Sequence, residues 1–134
     1  MVLVALGAFW LARALATRVA SAPTNGRNEP PGALDRSDFR SPSADWLIAV
    51  FTSATCSSCA AVMAELRGHE SGAVVVEEVE VGASADIHRK YRIDSVPTAV
   101  VVDDSGTTHL AIVGPLGPDH RAALAATINP LPNG

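Results

Sequence analysis

WLIAVFTSATCSSC, residues 46–59, is the stretch from which the rest of the chain can be read. Its first half, Trp46 to Thr52, is an unbroken apolar run with β-branched and aromatic members, as in a strand buried on both faces of a sheet. From Cys56 to Glu70 the apolar residues Val62, Met63 and Leu66 recur at helical spacing, with Gly68 or Gly72 as the stop. Two cysteines therefore fall where a strand turns into a helix. A thiol at a helix start faces unpaired N–H groups and the positive end of the dipole, which favours thiolate. A fall from the free value near 8.5 to about 7 corresponds to about 2 kcal/mol of anion stabilisation. Cys59 follows one turn later, within reach of a mixed disulfide on Cys56. Cys56 is thus the expected nucleophile and Cys59 the expected resolving thiol.

Two other readings of the pair are inert buried thiols and half of a metal site. A zinc site needs two further ligands, and His69, His88, His109 and His120 are scattered without ligand spacing. Each histidine is expected at the surface. The junction after a buried strand favours redox chemistry over both.

Downstream, AVVVEEVEV (73–81) reads as a strand whose second half alternates Val with Glu, so that one face meets solvent. A short helix is expected over 86–92, capped by Ser84 or Asp86. TAVVVDD (98–104) and THLAIVG (108–114) form a hairpin around Asp104-Ser-Gly106. Pro118 to Ile128 is a closing helix, with Pro at its start and Pro130 after its end. The order β-α-β-α-β-β-α gives an α/β fold with a central mixed sheet: a right-handed crossover makes the first two strands parallel, and the last pair is antiparallel.

Upstream, residues 1–20 begin with the uncharged run VLVALGAFWLA (2–12), followed by Arg13 and Arg18. As a helix, the run to Thr17 spans about 24 Å against about 30 Å of hydrocarbon. A membrane anchor is preferred to a cleaved signal, because no Lys or Arg precedes the apolar run while Arg13, Arg18 and Arg27 follow it. The positive-inside rule then puts the following domain in the cytoplasm; the alternative is an extracytoplasmic or secreted domain. Residues 21–37, with Pro23, Pro30 and Pro31 among Ser, Asn and Gly, have linker composition, and the domain is expected over 38–134.

Composition agrees with one domain on a tether. The chain has 134 residues, 48% hydrophobic and 18% charged, enough apolar material for a core. Two cysteines exclude a disulfide lattice. The net charge of −4 argues against nucleic acid as partner. It conceals an N-terminal portion rich in Arg and an acidic remainder.

Over about residues 38–130 the chain resembles the thioredoxin-like family. The resemblance rests on FTSATCSSC (51–59), KYRIDSVPT (90–98) and VGPL (113–116), in that order. It implies that Pro97 is cis and beside the cysteine pair, with Val96 offering its backbone to an extended substrate segment. Thr55, Ser57 and Ser58 would line the same substrate site. The chain departs from thioredoxin at Thr55, which replaces Trp, at Ser57-Ser58, which replace Gly-Pro, and at Val50, which replaces a buried Asp that helps move the resolving thiol's proton. With its apolar start and Pro-rich linker the chain is similar to small membrane-anchored thioredoxin-domain proteins of high-GC bacteria.

The implied activity is that of a thiol-disulfide oxidoreductase of the protein-disulfide reductase type, with no cofactor. Its partners would be protein disulfides, a thiol protein or reductase as electron donor, and a membrane through the N-terminal helix. The alternative is a tethered metallochaperone using the two thiols for a soft metal ion.

Overall fold

The computed structural model describes residues 29–129. The expected anchor, residues 1–20, and the linker up to residue 28 lie outside them. Among the described residues no helix is long and apolar enough to cross a membrane, so the expected membrane helix gains no support there.

Four strands form one sheet in the order β2-β1-β3-β4. They are β1 (Trp46–Thr52), β2 (Val74–Glu80), β3 (Thr98–Asp103) and β4 (Thr108–Val113). β1 and β2 are parallel; β1 with β3 and β3 with β4 are antiparallel. The expected order of elements along the chain, the parallel first pair and the antiparallel last pair hold, and every strand boundary falls within a residue of its sequence reading. The helices are α1 (Cys59–Arg67), α2 (Ala85–Lys90) and α3 (Pro118–Ile128), with a 3-10 turn at Arg36–Asp38.

Alternation along β1 creates two cores. Ile48 and Val50 pack with Val62, Met63 and Leu66 of α1 and with Leu124 and Ile128 of α3. Leu47, Ala49 and Phe51 face the other way, against Leu34, Phe39, Val75 and Val79, with Ile87, Tyr91 and Ile93 partly buried around them. All six residues Leu47 to Thr52 are buried, as a strand covered on both faces requires.

The contacts of the domain begin upstream of Asp38. Thr108 donates its N–H to Gly32 O (3.1 Å) and its hydroxyl to Pro31 O (2.8 Å), and Leu34 is buried. Arg36 is buried too, with its guanidinium donating to the carbonyls of Ser41, Ala44 and Asp103 at 2.9 Å each. Three carbonyls from two separate segments thus converge on one cation, in the charge-assisted bonding a buried Arg requires.

The hairpin between β3 and β4 turns at Gly106, whose φ of 88° is in the left-handed region. Leu34 donates to Gly106 O (2.8 Å), and a Cβ at Gly106 would overlap the carbonyl oxygen of Leu34. Gly106→Ala combines backbone strain with that overlap, so it should destabilise the domain by about 1–3 kcal/mol. Urea unfolding followed by far-UV circular dichroism measures this; an unchanged midpoint would contradict it.

Candidate functional site

The chain leaves β1 after Thr52 and crosses six residues before α1. Those residues hold Cys56 with the predicted Thr55, Ser57 and Ser58. Cys56 lies in the turn, its N–H donating to Ser53 O (3.2 Å). Cys59 is the first residue of α1, and Ser58 occupies the cap position before it. The helix thus starts three residues later than its sequence reading. Ser57-Ser58 explains the difference, since serines suit a turn or cap as well as a helix interior and leave the start ambiguous.

This start separates the two thiol positions. Cys59 precedes the core residues Val62 and Met63 by three and four positions, so it shares their inward face and is buried. Cys56, outside the helix, is half-buried. The two are joined by a disulfide with their Cα atoms 5.5 Å apart.

A serine hydroxyl lies against the more accessible sulfur. Ser58 Oγ lies 3.8 Å from Cys56 Sγ, and the hydroxyls of Ser53 and Thr55 are 3.3 Å apart. Thr55 and Ser57 are exposed. The Val96–Pro97 peptide is cis, as the resemblance implied. Pro97 immediately precedes Thr98, which pairs with Phe51. Because β1 and β3 are antiparallel, the end of β1 and the start of β3 share one end of the sheet. The cysteine turn and Pro97 therefore leave the sheet at the same rim. Val113 pairs with Thr98 there and is 45% exposed, an apolar side chain at the same rim.

Two networks hold the strands and segments around this rim. Thr52, buried at the end of β1, donates its hydroxyl to Glu78 Oε2 (2.9 Å), and Glu78 is the register partner of Val50. Val50 itself is fully buried in the α1-side core. Around the segment leading to Pro97, Tyr91 Oη (2.6 Å) and Lys90 Nζ (2.7 Å) both donate to Asp38 Oδ2, while Asp35 N–H donates to Tyr91 Oη (2.9 Å). The Lys90 and Tyr91 bonds hold the Asp38 carboxyl below the usual carboxylate range.

His88 departs from its surface expectation. It is buried, its Nε2 donates to Val79 O (2.7 Å), and its ring meets Phe51 edge-on with centroids 5.2 Å apart. Sequence reasoning also missed Glu78 and Asp38 as contributors; only the Val-Glu alternation of β2 hinted at the former. Among the described residues no group of three or more His, Cys, Asp or Glu side chains could hold a metal ion.

A four-stranded mixed sheet, a disulfide between a strand and a helix, and a cis proline at the same rim define a thioredoxin-fold domain built around a cysteine pair. The chain belongs to the thioredoxin-like domain family, whose model matches residues 35–128. Among solved structures it is similar to a mutant thioredoxin from Halobacterium salinarum NRC-1, at 18% identity and a TM-score of 0.56, with 80% of this chain and 96% of that one covered. It is also similar to a malarial protein at 16% identity and a TM-score of 0.54, with 63% of this chain and 98% of that one covered. No curated protein matches it.

The Asp38 network makes a pH prediction. Its folded carboxyl is depressed relative to the unfolded chain, so its contribution is present above about pH 4–5 and lost as pH falls through the folded value. Melting temperature should therefore fall more steeply below about pH 4 in the parent than in Asp38→Asn. Equal slopes would remove this role.

Proposed function

We propose that the domain is a thiol-disulfide oxidoreductase of the protein-disulfide reductase type, with Cys56 as nucleophile and Cys59 as resolving thiol. The observation that carries the reading is the unequal burial of the two bonded cysteines. A substrate can reach only a sulfur that is at least partly open, and Cys56 is that one; Cys59 is 4% exposed. The rim position supports it, since the cis Val96–Pro97 segment and the exposed Thr55 and Ser57 leave room for an extended peptide.

In the reduced protein, Cys56 thiolate attacks one sulfur of a substrate disulfide. The substrate S–S bond breaks, its other sulfur leaves as thiolate and takes a proton, and a Cys56–substrate disulfide forms. Cys59 then gives up its proton and attacks Cys56 Sγ, releasing the second substrate thiol. Substrate gains two electrons and two protons; the pair loses them and closes the disulfide. With Val50 in place of a buried acid, water or a substrate group takes the Cys59 proton. A thiol protein or reductase restores the dithiol.

The reading predicts different behaviour for the two cysteines. Cys59→Ser should accumulate covalent mixed disulfides with protein substrates, visible on non-reducing gels and reversed by reductant. Cys56→Ser should abolish insulin reduction. Absence of trapped species together with undiminished insulin reduction by Cys56→Ser would refute the assignment.

The apolar start and the Arg residues that follow it support a single-pass tether with the domain on the cytoplasmic side. Reporters fused after Gly134, one active only inside and one only outside, test this; activity of the outside reporter alone would overturn it.

A further inference from the structure

The two outer edges of the sheet are built differently. β2 is one edge, and it is guarded: Arg40 Nη2 donates to Val76 O (3.1 Å), Ser71 N–H donates to Val74 O (3.0 Å), and Glu78 and Glu80 follow along the strand. Charges and local bonds of this kind turn away an added strand. β4 is the other edge, and its sequence THLAIV holds no Lys, Arg, Asp or Glu.

The pairing of β4 with β3 fixes which of its backbone groups face outward. Gly114 N–H donates to Pro97 O (2.8 Å), one position beyond the facing pair Val113 and Thr98. In an antiparallel ladder, bonded and non-bonded pairs alternate. Val113 with Thr98 and Ala111 with Val100 are therefore non-bonded pairs, and the N–H and C=O of Ala111 and Val113 point away from β3.

The far end of the same edge is already covered. Gly32 O accepts the N–H of Thr108 (3.1 Å), and Ala33 bridges to Thr107. That pairing goes no further, because Pro31 and Pro30 have no N–H to offer. Among the described residues no segment pairs with Ala111 or Val113, and the Val113 side chain is exposed.

We propose that the edge from Ala111 to Val113 is a docking site for an extended segment of the disulfide substrate, which adds to the sheet beside β4 and leads its cysteine across the rim to Cys56. The inference rests on the redox reading of the pair and names the kind of segment the site takes. From the added strand to the end of β1 is three strand spacings, about 14 Å, which about four extended residues cross. The substrate cysteine therefore lies about four or five residues from the paired stretch. An apolar side chain beside Val113 suits that position. Charge selects against a second copy of this chain: its net −4 repels another acidic domain and leaves an uncharged or basic segment unopposed.

The test uses the full chain with Cys59→Ser, so that Cys56 holds a mixed disulfide. Two synthetic peptides each carry a Val-Thr-Val-Thr stretch about four residues from a single Cys, before it in one and after it in the other; glutathione, too short to reach the edge, is the third adduct. Amide hydrogen exchange at Ala111 and Val113, read by nuclear magnetic resonance, should slow about tenfold with one of the peptides and stay fast with glutathione. N-methylation of alternate residues in that peptide should remove the protection with the protein left unaltered. Val113→Pro takes away an outward N–H; in it, with both cysteines present, the rate of reducing the peptide disulfide relative to glutathione disulfide should fall about fivefold. Exchange as fast with both peptides as with glutathione, or protection that survives N-methylation, would overturn the proposal. So would protection of both amides before any peptide is attached, which would put a second copy or the chain's own upstream residues on the edge. Protected amides in a protein that reduces no insulin would uphold the docking and count against the reductase reading alone.

Discussion

β1 is the strand on which the other parts of the domain depend, because it is paired on both edges and covered on both faces. Leu47, Ala49 and Phe51 fill one core, and Ile48 and Val50 fill the other. A slip by one residue would exchange the two sets and put Phe51 where Val50 sits against α1. Its register with β2 and β3 is therefore fixed, and so is the point at which the chain must leave the sheet. Thr52 remains tied after the strand ends, by Val81 on its carbonyl and Glu78 on its hydroxyl. The cysteine turn thus starts from a base that cannot shift, as a reaction between aligned sulfur atoms requires.

From that base the difference between the two cysteines follows from helix phase. With α1 starting at Cys59, the i+3 and i+4 positions are Val62 and Met63, and their inward direction carries Cys59 inward with them. Cys56 has no helical neighbours to direct it and stays at the rim. The unequal burial on which the proposed roles of the two cysteines rest therefore follows from where the helix begins. A start at Cys56 would have left the two sulfurs in the same helix and less clearly divided.

The parts legible in the sequence are those set by local chemistry. Prolines 118 and 130 bracket α3, and the run from Trp46 to Thr52 announces a doubly covered strand. The hairpin is set by Gly106, and the cis bond at Pro97 is implied by the resemblance around KYRIDSVPT. What escapes is set by partners distant in sequence. The bond from His88 to Val79 spans nine residues, and that from Arg36 to Asp103 spans 67; no local period marks either side chain as buried. The start of α1 escapes for another reason: two serines satisfy a turn and a helix almost equally, so packing of Cys59 decides between them.

The alternation of Val and Glu in β2 reads in the sequence as a solvent face, and here structure changes the meaning of a visible pattern. A carboxylate at position 50 would lie in the α1-side core, where the ionised form is costly without hydrogen-bond partners. Val50 avoids that cost and keeps the core apolar. The acids nearest in the sheet lie instead on the neighbouring strand: Glu78 opposite Val50, held by Thr52, and Glu80 at the strand's end, accepting the N–H of Ala83. There each keeps part of its surface in water and has a hydrogen-bond donor. The acids of β2 are thus placed where water and neighbouring donors receive them, and the core around Val50 stays apolar.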